Sequence, residues 1–227
     1  MKNEEISATC GVVVDHIVNL ISNRTLNIGD RLEPERQLAQ RLNVSRATVR
    51  EAINVLNYMG FICSTQGSGN YVTDNYSRTV TMIMKAMYLR EDIDLERFMA
   101  FRQTLELHAF EMAVEHATAE QKDEMKQIVN LMDVCSDEDL RITLDSSFHR
   151  LLVLSSGDPL IRINFEALSS VIRQSQSDTF YSYVSLKPNG IQILQQYHHT
   201  IIDALYEEDL EKGRQAIINH FAWIMPR

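Results

Sequence analysis

The chain has 227 residues, 44% hydrophobic and 23% charged, with a formal net charge of −9, so it is long enough for two domains with buried cores. No collagen-like, coiled-coil or low-complexity signature is present, and Cys10, Cys63 and Cys135 lack both a metal-ligand spacing and an even count for a disulfide framework. The start, Met1-Lys-Asn-Glu-Glu, is unlike a signal peptide and no segment is apolar for a bilayer's thickness, so a soluble cytoplasmic protein without a membrane partner is expected.

Residues 6–22 carry Val13, Val14, Ile17, Val18, Leu20 and Ile21 at helical spacing and predict an amphipathic supporting helix. Asn27 to Asp30 is a turn. Residues 34–42 predict a short helix with Pro34 at its start, Asn43 and Val44 a tight turn, and Ser45 the N-cap of a second helix. In that second helix Val49, Ala52, Ile53, Leu56 and Met59 share an inward face. Ser45, Arg46, Thr48 and Arg50 crowd its first turns, where phosphate oxygens and guanine edges are the natural partners of such side chains. Gly60 to Thr73 reads as strand, turn and strand, with Gly67 and Gly69 allowing the reversal. Net acidity does not exclude a nucleic-acid partner. Residues 1–75 hold seven basic against eight acidic side chains, residues 76–227 fifteen against twenty-three, and the stretch from Arg31 to Arg50 has five arginines and two acids. DNA responds to the field within about 8–10 Å, so this cluster outweighs the total.

Residues 29–72, with Gly-Asp-Arg-Leu, Glu-Arg-Gln-Leu-Ala, Val-Ser-Arg-Ala-Thr-Val-Arg-Glu-Ala and Gly-Ser-Gly-Asn-Tyr-Val in order, resemble the winged helix-turn-helix of the GntR family of bacterial transcription regulators. The resemblance implies a homodimer on a double-stranded, inverted-repeat operator. The DNA-binding candidates are Arg36, Ser45, Arg46, Thr48, Arg50, Gln66, Gly67 and Gly69. Glu33-Pro34 departs from the family, which commonly has Pro followed by a small residue, and places a carboxylate near the expected DNA.

Asp74 to Arg78 is polar and precedes a long helical pattern, which sets expected domains at 1–75 and 80–227 with a linker at 76–79. Periodicity near 3.6 predicts helices over 79–89, 95–116, 119–131, 137–155, 159–183, 190–206 and 210–224. The expected fold is mainly α: three helices and a β-hairpin wing, then an all-α bundle of six or seven helices.

Asp145 and His149 are four apart and share a helical face; His198 lies in phase with Leu194, Ile201 and Leu205, and His220 with Ile217 and Ile224, while His199 is turned about 100° away. An unpaired polar side chain in such a core costs roughly 1–3 kcal/mol, so four converging ones suggest a bound divalent transition metal. Four ligands can close a tetrahedral site or leave positions open on a larger coordination sphere.

This order of residues is similar to the metal-binding subset of the FadR C-terminal (FCD) domain, over residues 95–222. By that resemblance Asp145, His149, His198 and His220 are metal ligands, with zinc the first candidate and nickel, iron or another metal the alternatives. Tyr197 stands where the family often has an acid and Asp158 where it often has Asn, the latter a helix cap or pocket wall. The resemblance also implies a small organic acid effector, a carboxylate or sugar acid, at Arg102; the alternative for Arg102 is an ion pair with Glu106. Arg150 and Arg173 are solvated or binding, Phe180, Tyr181 and Tyr183 pack or close a pocket, and His108 and His116 are surface groups. The expected function is a ligand-responsive transcription regulator, a repressor, with no catalytic residues. The rivals are a metal-dependent hydrolase and a DNA-binding protein whose bundle is only a dimerisation scaffold.

Overall fold

The computed structural model describes residues 8–91 and 93–225, apart from the side chains of Leu89, Leu95, residues 173–183 and Ser185. Contacts divide the chain into a first unit ending at Ile83 and a second beginning at Met84.

In the first unit, α1 (Ala8–Ser22) buries Cys10, Val13 and Ile17 at the spacing of one helical face. α2 (Glu35–Leu42) adds Leu38 and Ala39, and α3 (Arg46–Met59) adds Val49, Ala52, Ile53 and Leu56. Met59, expected inward, is only half-buried because it is the last residue of α3. Asn43 makes the turn between α2 and α3 in the left-handed region, φ 53°, which Asn tolerates better than most side chains. Ser45 then caps α3 by accepting from the Thr48 N–H at 3.0 Å.

At the far end of α3, Gly60 has φ 83°, and a Cβ there would lie 2.4 Å from the Asn75 carbonyl oxygen. Only glycine lets the chain leaving the hairpin pass so close. The hairpin itself is β1 (Ile62–Thr65) paired antiparallel with β2 (Gly69–Val72), Ile62 opposite Val72 and Thr65 opposite Gly69. Ile62 and Val72 anchor it in the same apolar core as Leu32. Arg31 bridges Tyr71 on the other edge of β2, and the Leu32 N–H donates to the Asn70 carbonyl at 2.8 Å.

The stretch 76–79 is not the irregular linker expected. Ser77 opens α4 (Ser77–Arg90), and the division between units falls inside that helix. The Thr79 hydroxyl donates to the Tyr58 carbonyl at 3.1 Å and Tyr76 meets Phe61 at a centroid distance of 6.0 Å. The polar residues there serve a helix start laid against the end of α3, whose last carbonyls need donors.

The second unit continues with α5 (Leu95–His116), α6 (Ala119–Val134), α7 (Glu138–Ser155), α8 (Pro159–Ser185), α9 (Gly190–Glu207) and α10 (Leu210–Ile224). Short caps separate them: Asp94, Thr118, Asp137 and Asp209 each accept from a backbone N–H three residues on. Asp158 does the same for α8, accepting from Leu160 and Ile161 at 2.6 and 3.1 Å, so it is a helix cap. α5 packs on α7 and α10, and α9 on α10 and α6, around Phe110, Met125, Phe148, Leu152, Leu168, Ile201, Leu205, Ile217 and Phe221. The mainly α architecture with one small hairpin is therefore the one expected. Among the described residues no helix is long and apolar enough to cross a membrane.

The α5–α10 contact depends on Gly213, where a Cβ would fall 2.0 Å from the Phe110 ring. Gly213→Ala gains helix propensity of about 1 kcal/mol, yet overpacking of this kind typically costs about 1–3 kcal/mol. A net loss of stability is expected in urea unfolding; a gain would show that Phe110 moves aside without penalty.

Candidate functional site

Three helices carry polar side chains inward on otherwise apolar stripes. α7 buries His149 beside Phe148, Leu152 and Val153, with Asp145 one turn earlier. α9 buries His198 with Leu194, Ile201 and Leu205, and α10 buries His220 with Ile217, Phe221 and Ile224. Asp145, His149, His198 and His220 each offer one ligand atom, and these atoms lie within 4.8 Å of one another. Asp145 Oδ1 is 3.2 Å from His198 Nε2 and 3.7 Å from His149 Nε2, and the two imidazole nitrogens are 3.4 Å apart. A tetrahedron of metal–ligand bonds near 2.0–2.1 Å has edges of about 3.3 Å, close to the spacings among Asp145, His149 and His198, with His220 the fourth donor within 4.8 Å. His199, on the other side of α9, instead meets Asp133 at 2.7 Å with 37% of its side chain exposed.

Glu106 completes the cluster, and its place there was visible in the sequence only as a partner for Arg102. The carboxylate is fully buried: Oε2 accepts from His149 Nδ1 at 2.5 Å and Oε1 from Arg102 Nε at 2.7 Å. With Nδ1–H donating to Glu106, His149 turns Nε2 toward Asp145 and His198, the nitrogen that can ligate an ion once its proton has left. The Arg102 guanidinium lies 5.5 Å from the Phe165 ring centre and 5.9 Å from that of Phe221.

Burial penalises charge on every one of these groups, and the arrangement decides where charge survives. At His149 burial is outweighed by the Glu106 and Asp145 carboxylates, which push the imidazole up to about 9. Burial opposes ionisation of Asp145, but His149 and His198 hold its carboxyl well below the usual carboxylate range. Glu106 is likewise lowered against burial by His149 and Arg102. Burial lowers His198 despite Asp145, and burial with the neighbouring His198 and His149 drives His220 well below 6.5. His220 is thus a neutral imidazole, and neither of its nitrogens, nor Nδ1 of His198, has a hydrogen-bond partner among the described residues.

The remaining candidates separate clearly. Arg150 is 57% exposed beside Glu166, and His108 and His116 are surface groups. Arg173, Phe180, Tyr181 and Tyr183 lie outside the residues whose side chains are described. In the first unit Arg36, Arg46 and Gln66 are exposed, and the Ser45 and Thr48 hydroxyls meet at 2.8 Å. Gly67 and Gly69 have φ of 75° and 130° at the hairpin turn, and the Arg31 guanidinium covers Gly69 so closely that a Cβ would meet Nε at 2.8 Å. Arg50 is engaged by Glu35 at 2.9 Å.

Comparison with known proteins locates two families along the chain. Residues 10–72 match the bacterial regulatory proteins of the gntR family, and residues 97–222 match the FCD domain. The HTH-type transcriptional regulator LutR of Bacillus subtilis is 25% identical over 202 residues, spanning 88% of this chain and 92% of LutR. The HTH-type transcriptional repressor NanR of Escherichia coli is 25% identical over 213 residues, spanning 92% of this chain and 80% of NanR. The structure of Streptococcus agalactiae GntR matches the fold with a TM-score of 0.70 at 20% identity, over 95% of this chain and 98% of that one.

Two outcomes follow from the site. His198→Ala is expected to lower bound metal, read by elemental analysis, and melting temperature more than His199→Ala; the reverse order would contradict the inward phase of His198. In metal-free protein, His149 has a folded value of about 9 against an ordinary 6.5, so its stabilisation is complete below about pH 6.5 and is lost as the pH rises through about 9. Neutral His198 and His220 act oppositely, with stability present above about 6.5 and lost on acidification. Thermal melts of metal-free protein should therefore peak near neutrality, and His149→Gln should flatten the alkaline fall; an unchanged fall in that variant would assign it to other groups.

Proposed function

The chain is a DNA-binding transcription regulator of the gntR family with an FCD domain, and on that premise we propose that a metal ion and a small organic acid, bound together in the helical unit, control its hold on DNA. The reading divides the chain into a DNA-binding domain at 1–75 and an effector and dimerisation domain at 80–227. The observation that carries it is the His220 imidazole, neutral, buried and without a hydrogen-bond partner among the described residues, grouped with three other donors. Such a side chain costs stability as it stands and is stabilised by an ion.

Asp145, His149, His198 and His220 hold the ion, zinc first and nickel or iron as alternatives, since imidazole with one carboxylate suits each. The metal supplies a fixed positive charge that attracts an effector oxygen. Glu106 keeps His149 in the tautomer that ligates. Arg102 serves two partners: Glu106 takes its Nε, and the Nη fork remains for an effector carboxylate, with the guanidinium between Phe165 and Phe221. The ion pair weighed against effector binding is thus compatible with it.

Charge balance favours an anion. In the metal-free cluster the carboxylates of Glu106 and Asp145 are offset by Arg102 and protonated His149. A dication that displaces the His149 proton leaves a single excess positive charge. A monocarboxylate restores neutrality, and a sugar acid adds hydroxyl donors.

On the DNA side, Arg46 and Arg50 contact bases or phosphate, Arg36 the backbone, Ser45 and Thr48 the phosphate at the start of α3, and Gln66, Gly67 and Gly69 form the wing contact. One recognition helix reads few base pairs, so a twofold dimer on an inverted repeat supplies the affinity. The effector acts as a switch only by binding one arrangement of the paired DNA-binding domains more tightly than another. Repression, the role in NanR's name, is the direction we assign.

The test begins with protein stripped by chelator and reloaded with zinc or nickel. One ion per chain is expected, and thermal shifts with a panel of monocarboxylic and sugar acids should require both the metal and Arg102. Shifts that persist in Arg102→Ala would remove Arg102 from the effector site. DNA binding indifferent to metal and to every acid would favour the dimerisation scaffold, and turnover of an acid retained in Arg46→Ala/Arg50→Ala would favour an enzyme.

A further inference from the structure

The five arginines between residues 31 and 50 have different surroundings. Arg41 pairs with Glu33 at 2.8 Å, and Arg31 lies over Gly69. Arg36 and Arg46 are exposed on α2 and α3. Arg50 is gripped in a particular way: Nη2 donates to Glu35 Oε2 at 2.9 Å and Nε reaches Oε1 at 3.5 Å.

A guanidinium presents two forks of parallel N–H groups. The side-on fork is Nε with Nη2, and the end-on fork is Nη1 with Nη2. Glu35 occupies the side-on fork of Arg50 and leaves the end-on fork available, which can pair bidentately with O6 and N7 of guanine in the major groove. Stability gives little reason for this pair, because an exposed ion pair contributes little and Arg50 keeps 62% of its side chain exposed. Affinity gives less, because a carboxylate beside a phosphate backbone repels it. Pre-organisation gives a good one. A long arginine side chain otherwise has to freeze its torsions on binding, and Glu35, fixed in the first turn of α2, freezes them beforehand.

We propose that Glu35 is a specificity-determining positioning residue, which holds the side-on edge of Arg50 so that its end-on edge is set to read one guanine. This rests on the reading of α3 as the recognition helix. It also fixes a sign. A carboxylate that only offsets charge would, on removal, raise affinity for all DNA and leave base preference intact. A positioning carboxylate would, on removal, lower preference at one base pair while affinity for mismatched DNA stays level or rises.

The experiment uses full-length, metal-loaded wild type, Glu35→Ala, Glu35→Gln and Arg50→Ala, each first checked for an unchanged melting temperature. Each binds a randomised double-stranded DNA library, the bound fraction is sequenced, and dissociation constants are then measured on the selected duplex and its single-base-pair variants at two salt concentrations. Wild type is expected to select guanine at one position per half-site, and Arg50→Ala to lose it. Glu35→Ala is expected to lose about tenfold discrimination at that same base pair, with Glu35→Gln intermediate because its amide oxygen still accepts one N–H. Guanine preference retained in Glu35→Ala but lost in Arg50→Ala overturns the proposal and leaves the recognition helix standing. Preference retained in Arg50→Ala overturns the proposal and removes Arg50 from base reading, and absence of any base preference in wild type overturns the reading of α3 as the recognition helix.

Discussion

Two carboxylates, one guanidinium and three imidazoles share the interior of a helical core, and their mutual neutralisation governs how the second unit is held together. Contacts run from Arg102 to Glu106, from Glu106 to His149, and from His149 and His198 to Asp145. A buried charge without its partner is costly, so each link holds the next in place. These links tie α5, α7 and α9 by polar contacts of about 2.5–3.7 Å where apolar packing alone would tolerate sliding. His220 on α10 is the exception: it stands among the others in ring contact, 4.7 Å from His198 and 4.9 Å from His149 between centroids, with neither nitrogen hydrogen-bonded among the described residues. The cluster is balanced in charge and unbalanced in hydrogen bonding, which is the condition in which an ion adds most.

The first unit manages charge differently. Among its described acids Asp15, Asp30, Glu51 and Asp74 are exposed, and two half-buried ones sit beside arginines of the basic cluster, Glu33 with Arg41 and Glu35 with Arg50. What the chain's net charge of −9 conceals is therefore a local arrangement in which some cations are committed and others exposed. The backbone does the rest of the positioning: Asn43 between the helices, the Ser45 cap, and Gly60 against Asn75 fix the entry and exit of α3.

Much of this was legible from local pattern. Helices over 95–116 and 210–224 have the ends that apolar periodicity predicts, because Asp94 and Asp209 mark their starts. The inward phase of His149, His198 and His220 followed from the same 3.6-residue repeat. Legibility stopped where a contact joins distant segments. Arg102 and Glu106 are neighbours on one helix, but the second Glu106 oxygen meets a histidine 43 residues away, and no spacing reveals that. Glu35 and Arg50, 15 residues apart across a turn, were separate features of two helices until folded. The polar run before residue 80 misled because polar residues suit a solvent-exposed linker and a helix start equally well.

Gly213 and His220 lie seven residues, or two turns, apart on α10, and so share a face of that helix. Glu106 and Phe110 are likewise one turn apart on α5. The bare backbone at Gly213 seats the Phe110 ring like a ball in a socket and thereby sets both the axial height and the rotation at which α10 delivers its imidazole. Coordination tolerates errors of only about half an ångström or 10–20°. The quality of the ion's cage is thus decided partly at a joint containing no ligand at all, and a methyl group added there would detune the cage from two turns away.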